Sequence, residues 1–333
     1  MIPTDYTHKR PAYKLVVNGT DITPTVNGRL VQLSLTESRG MEADRLSITL
    51  SDHDGKVELP PTGAEIELAM GWKDDLVEKG LFTVDEAEHS GAPDQVRIRA
   101  KSADMKGDLP GKKSRSWDDV TMDELVSTIA SDHDLTPKVG ESLKGIVLEH
   151  LDQTSESDLH LLTRLAERHD AIAAVKGGNL LFVRAGQGTT ASGDPIPPRT
   201  VTRKDGDNHR YSETDREAYS GVIAFWNDPD SGERTKAIAG TEENPKELRA
   251  TYATEDDALA AARSELSRIQ RGAAEFSFTL AHGDPELAPE TPLILEGWKE
   301  AITGKEWIAV EVNHDLSDSA LGTSVQCELT QVT

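Results

Sequence analysis

Short runs of apolar residues, alternating with polar ones, dominate both ends of this 333-residue chain, and helical spacing is confined to three places. Six strands are predicted early, at 13–17, 30–35, 46–50, 65–70, 81–88 and 95–100. Between them stand Asn18-Gly19, Asn27-Gly28, Asp54-Gly55, Pro60-Pro61 and Ser90-Gly91-Ala92-Pro93-Asp94, whose residue types favour chain reversal. Six short strands without a helix suit a sandwich or barrel.

The pattern changes after Pro110-Gly111. Thr121 and Glu124 have capping-box spacing, and behind them Met122, Leu125, Val126, Ile129 and Ala130 share one helical face. A second helix is expected over 155–169, with Leu159, Leu162, Leu165 and Ala166 inward. Apolar runs at 171–175 and 180–183 flank Gly177-Gly178-Asn179, a hairpin signal. A Gly-, Thr-, Ser- and Pro-rich stretch, 187–198, follows as linker. Strands then return at 218–225, 235–239, 275–280, 292–295, 306–313 and 324–329. One helix interrupts them, capped by Thr254, led by Glu255, Asp256 and Asp257, and stopped near Gly272. Its apolar face is Ala258, Ala262, Leu266 and Ile269.

The two β-rich blocks share an internal repeat. Gly71-Trp72-Lys73 returns as Gly297-Trp298-Lys299, and Phe82, Glu86 and His89 return as Trp307, Glu311 and His314. The downstream residues all keep one offset, 225 positions from Phe82 to Trp307. The expected fold is therefore α+β and mainly β, with two similar tube-type β-barrels and a small α/β domain between them. Residues 1–110 form the first barrel, 111–200 the α/β domain and linker, and 201–333 the second barrel with one helix. A trimer of such a chain would present six similar barrels around one axis.

Composition narrows the partners. Apolar residues are 36% and aromatics 5%, so each domain has a modest core and association should add stability. The net charge is −23, and from residue 201 onward 26 acidic residues face 13 basic ones. That balance opposes stable nucleic-acid binding, which needs Lys and Arg. The acidic excess leaves two readings open, a partly acidic channel wall that repels DNA and a generic solvated surface that keeps subunits soluble. Cys327 is the only cysteine, which excludes an internal disulfide and suits assembly in a reducing host cytoplasm. No apolar run reaches the ~20 residues of a membrane helix, and the start lacks a signal-peptide core.

Several segments together resemble the late control protein D family of contractile-tailed phages, over nearly the whole chain. They are Leu35-Thr36-Glu37-Ser38-Arg39-Gly40-Met41-Glu42-Ala43-Asp44-Arg45-Leu46, Phe82-Thr83-Val84-Asp85-Glu86-Ala87-Glu88-His89-Ser90-Gly91, His150-Leu151-Asp152-Gln153-Thr154-Ser155-Glu156-Ser157-Asp158 and Thr163-Arg164-Leu165-Ala166. The resemblance implies a baseplate hub in the virion tail, related to the hub part of VgrG spikes. It implies a homotrimer between the hexameric tail tube protein and the trimeric central spike protein, touching other baseplate subunits. The alternative is a tail-associated peptidoglycan-binding or cell-wall-degrading protein, to which the LysM-like stretch from Thr121 to Leu135 points weakly.

Catalytic chemistry is not expected. No two histidines stand at the i, i+4 spacing of a helical metal site, and one cysteine excludes a thiolate cluster. Asp52-His53-Asp54-Gly55 lacks the later ligands of a calcium loop and reads as a turn. Lys176-Gly177-Gly178 lacks phosphate-loop spacing. Neither a metal nor a cofactor is expected, and no enzyme.

Overall fold

The computed structural model describes residues 10–102, 109, 111–190, 192–214, 219–229 and 232–330, and it is mainly β. The first half comprises β1 (Pro11–Val17), β2 (Thr20–Asp21), α1 (Thr23–Val26), β3 (Leu30–Ser38), β4 (Arg45–Ser51), β5 (Glu65–Trp72), β6 (Asp75–Ser90) and β7 (Gln95–Ser102). They pair in the order β3-β4-β7-β6-β5-β1-β2. Side chains on a strand alternate between faces, so Leu33 and Leu35, Leu46, Ile48 and Leu50, Ile66 and Leu68, and Phe82 and Val84 enclose one core. Burying each such side chain contributes roughly 1.5–3 kcal/mol.

The middle block holds β8 (Lys112–Thr121), α2 (Met122–Asp132), β9 (Thr136–Val139), α3 (Glu141–Lys144), β10 (Val147–Ser157), α4 (Asp158–Arg168), β11 (Ala171–Lys176) and β12 (Asn179–Arg184). The capping box forms as expected: Thr121 Oγ1 accepts from Glu124 N (3.2 Å), and Glu124 Oε2 accepts from Thr121 N (2.8 Å). The apolar face of α2 packs with Trp117, Leu148 and Phe182 in a core separate from that of the first half. Residues 155–157, expected to open the second helix, instead complete β10, and Ser157 caps α4. Gly177 and Gly178 turn β11 into β12 with φ of +54° and +73°, values a β-branched residue would resist. The β8–β10 ribbon was not anticipated. Its strands are largely polar, and Trp117 is the single fully buried side chain of β8.

The second half begins with β13 (Arg199–Thr202) and β14 (Gly206–Glu213), followed by β15 (Gly221–Asn227), β16 (Arg234–Gly240), β17 (Pro245–Tyr252) and α5 (Glu255–Arg271). It ends with β18 (Ala274–Leu280), β19 (Pro292–Glu296), α6 (Glu300–Thr303), β20 (Trp307–Leu316) and β21 (Leu321–Leu329). Here one expectation is corrected. The strands read at 218–225 and 235–239 do not join the second barrel. Apart from residue 218, which lies outside the described residues, they form a separate sheet, β16-β15-β17, under α5. Small residues decide this: Ala224, Ala237 and Ala239 let the helix approach closely through Ala258 and Ala262.

The remaining strands pair as β14-β18-β21-β20-β19-β13. This order repeats that of the first half, with β3, β4, β7, β6, β5 and β1 in the same chain sequence. The outermost pairings differ, β1 being antiparallel to β5 and β13 parallel to β19. The halves are fused edge to edge, because Glu311–Leu316 of β20 pairs with Ser38–Leu33 of β3, giving one 13-stranded sheet.

Candidate functional site

Phe82 and Trp307 hold matching pairing positions in the two strand sets. Phe82 pairs with Ile66 and Ser102, and Trp307 pairs with Leu293 and Leu329. Both rings are fully buried. Just beyond them each strand carries a bulge, between Val84 and Glu86 in β6 and between Ala309 and Glu311 in β20. A bulge adds a residue and increases local twist, so both strands bend at one point. Past the bulges Glu86 faces Arg99 and Glu311 faces Gln326, each in side-chain contact with its partner.

The surroundings then diverge. His89 is 45% exposed beside Asp52 (3.3 Å), whereas the His314 side chain is wholly buried. Gly71-Trp72 ends β5, and Lys73 opens a two-residue turn into β6. Gly297-Trp298 lies past β19, and Lys299 is the cap of α6. Trp72 is buried and its Nε1 donates to the carbonyl of Gly283 in the other half (3.1 Å). Trp298 lies edge-on to Phe276 (5.5 Å), and its buried indole N–H has no acceptor among the described residues.

Two buried charge clusters join parts of the molecule and a third lies within one of them, and the sequence reading named none of the three. At the seam between the halves, Lys79 Nζ donates to Glu37 Oε2 (2.6 Å), and His314 Nε2 lies 3.2 Å from the same oxygen. His314 Nδ1 reaches Thr323 Oγ1 (2.9 Å). Burial opposes ionisation of Glu37, but His314 and Lys79 prevail and hold its carboxyl below its ordinary range.

The second cluster ties four segments together. Arg271, at the end of α5, binds Asp170 through both terminal nitrogens (2.5 and 2.7 Å) and Glu328 through Nε (3.1 Å). Arg39, just past β3, pairs with Glu328 and with Glu290 (2.5 Å). Glu290 also accepts from Gly186 N (3.0 Å). Burial raises the Glu290 carboxyl above its usual range despite Arg39.

The third lies within the middle block. Asp158, fully buried, accepts from Lys113 Nζ (2.7 Å), Arg115 (2.6 Å) and Gln153 Nε2 (2.8 Å), with His133 Nε2 at 2.8 Å. Burial pushes its acidity the wrong way, but these partners outweigh it and hold the carboxyl well below the usual range. A signal for these clusters existed in part: Arg39, Gln153 and Asp158 all fall within the family-like segments.

The arrangement offers little free reactivity. Asp54 is engaged by both terminal nitrogens of Arg29 (2.8 Å each), and Asp52 accepts from Val57 N (2.9 Å), so that turn is held by its own chain. Burial raises the Cys327 thiol far from ionisation. Among the described residues, no group of three or more His, Cys, Asp or Glu is placed to hold a metal ion. None of the helices described is long and apolar enough to cross a membrane.

Comparison with known proteins agrees on one family. Residues 31–320 match the family of phage tail baseplate hub proteins. The probable baseplate hub protein of Escherichia phage 186 is 43% identical, over 96% of this chain and 93% of that protein. Its counterpart from Escherichia phage P2 is 41% identical over the same shares. Among solved structures, a tail protein from Neisseria meningitidis MC58 superposes with a TM-score of 0.71 at 12% identity, covering 96% of each chain. A type VI secretion component from E. coli superposes at 0.57 and 13% identity, over 92% of this chain and 74% of that one.

Proposed function

The chain belongs to the phage tail baseplate hub family, and from that we propose that it works as a non-enzymatic homotrimer adapting a sixfold tail tube to a threefold central spike. One observation carries the reading. Two strand sets of the same order, bulged at matching positions, are fused through β3 and β20 into one sheet. Three such chains around an axis present six similar units to one neighbour and three identical chains to the other. On this reading the two strand sets are copies of one domain, within residues 1–110 and, apart from the separate unit of β15, β16, β17 and α5, within 201–333, with 111–200 between them.

The partners are then the tail tube protein, the spike protein and other baseplate subunits, met during assembly in the host cytoplasm. The buried charges support a structural role, since in each of the three clusters the carboxylates are paired with cations of the same chain. The acidic excess supports a hub that does not hold DNA.

Mass photometry of the purified chain, with a peptidoglycan-clearing assay in parallel, tests this. The expected result is a trimer that clears nothing. A monomer within intact particles, or clearing abolished by one carboxylate substitution, would overturn it.

A further inference from the structure

The pairing of β20 with β3 has an unfilled counterpart elsewhere in the molecule. Matching residues can be traced through shared strand partners. Ala100 pairs with Leu46 as Cys327 pairs with Phe276; Leu46 then pairs with Leu35 as Phe276 pairs with Tyr211. Leu35 and Tyr211 are therefore equivalent, and two residues on, so are Glu37 and Glu213. The chemistry repeats too: Lys79, shortly before Phe82, holds Glu37 at 2.6 Å, and Lys305, shortly before Trp307, holds Glu213 at 2.7 Å.

The difference is what closes over each pair. His314 arrives on β20 and seals Glu37 and Lys79 from solvent. Glu213 remains 57% exposed. The residue equivalent to His314 is His89, which stands exposed seven strands away in the sheet order.

The strand edges match this gap. On the side where β20 meets β19 and then β3, β6 meets β5 through residues 75–83, and 86–90 have no strand partner there among the described residues. Among the described residues β14 pairs with β18 alone and stands at the end of the sheet. An edge with open N–H and C=O groups is a template for another strand.

We propose that residues 86–90 of one copy pair with β14 of the next, so that His89 closes over Glu213 and Lys305 of its neighbour. This rests on the trimer reading and names the interface that reading requires. Transposing the observed register places Glu88 opposite Ser212 and His89 opposite Tyr211. Glu88 then lies diagonal to Arg210, which has no ion-pair partner among the described residues, and opposite charges so placed attract.

Trp298 points to the same neighbour. Trp72 satisfies its N–H on Gly283, in the loop between β18 and β19. The equivalent loop, between β4 and β5 of the next copy, would offer a carbonyl to the unpartnered N–H of Trp298. Trp117 and Trp226 also lack acceptors, but neither has a matched tryptophan bonded across a seam.

Paired cysteines test the register. In the chain, the equivalent pair Thr36 and Asn313 meet side chain to side chain at 2.9 Å. The full-length chain carrying both Glu88→Cys and Ser212→Cys, mildly oxidised, should give covalent dimers and trimers that reducing agent dissolves. Neither single variant should do so. A second measurement is the concentration below which trimers dissociate, which His89→Ala should raise at least tenfold with the melting curve of the dissociated chain unchanged. Trimers that form without crosslinking would overturn this interface and leave the trimer standing. A chain that never trimerises would overturn both.

Discussion

Lys79 and His314 approach to 3.2 Å across the seam between the halves, both against one carboxylate oxygen of Glu37. Three ionisable groups thus share a site from which water is nearly excluded. Removing one partner of such a set leaves a buried charge uncompensated, at a cost of about 3–5 kcal/mol. Lys79→Met should therefore lower the midpoint of guanidinium unfolding markedly, while Lys79→Met with Glu37→Gln recovers most of the loss. A single variant within 1 kcal/mol of the parent, roughly the worth of an exposed pair, would show that the seam does not depend on this charge.

The Arg39, Glu290 and Glu328 cluster makes a prediction whose sign depends on pH. Glu290 is an acid whose carboxyl is raised in the folded state, so the folded chain holds its proton more tightly than the unfolded chain. Its contribution to stability therefore improves as pH falls. Arg39→Met removes the cation that opposes this shift. The variant should be destabilised most at pH 8 and progressively less toward pH 5, read from urea unfolding at each pH. A defect independent of pH would mean that lost packing, rather than the stranded carboxylate, accounts for it.

Strands that alternate cleanly, such as β4 with Leu46, Ile48 and Leu50 inward, were legible because one face is dry and the other wet. β8, β10, β14 and β17 were not, because polar residues dominate them and their few buried apolar side chains, Trp117 in β8 and Leu148 and Leu151 in β10, make no period-two run. Their order comes from backbone pairing, which leaves no mark on hydrophobicity. The repeat was legible because it preserves large rings at Phe82 and Trp307, each in the core of its own half. The charge clusters were hidden for the opposite reason. Glu37 and Lys79 are 42 residues apart, Arg271 and Asp170 are 101, and a buried charge reads in sequence like an exposed one. The fate of His314 was likewise invisible, since it and His89 hold the same place in the repeat and only the pairing with β3 buries one of them.

Acid should weaken the protein in two separate windows. His169 is buried at the end of α4, and burial together with Arg168 and Arg184 lowers its pKa to about 4. The unfolded chain, with an ordinary value near 6.5, binds the proton first. Stability from this group is thus full above about pH 6.5 and declines to a loss of about 3 kcal/mol by pH 4. Asp158, held below its ordinary range, adds a further loss only below about pH 4. His169→Phe should flatten the first decline and leave the second, as followed by urea unfolding between pH 7 and 3. An unchanged slope between pH 6.5 and 4 would assign the first window to another group.

The two tryptophans of the repeat should behave differently on substitution, and the difference separates folding from assembly. Trp72→Phe deletes an N–H bonded to Gly283 in the other half and strands that carbonyl in a buried seam. A lost buried hydrogen bond of this kind costs about 1–3 kcal/mol, so the isolated chain should melt earlier. Trp298→Phe deletes an N–H that has no acceptor among the described residues, while the ring keeps its edge-on packing against Phe276. Its melting temperature should be unchanged, or rise slightly as an unsatisfied donor is removed. Its trimer should dissociate more readily, because the donor finds its acceptor only in the neighbouring copy. Melting followed by circular dichroism, with trimer mass measured on dilution, reads both effects. If Trp298→Phe melted as early as Trp72→Phe and trimerised normally, the two positions would share a folding role and the assembly role of Trp298 would fall.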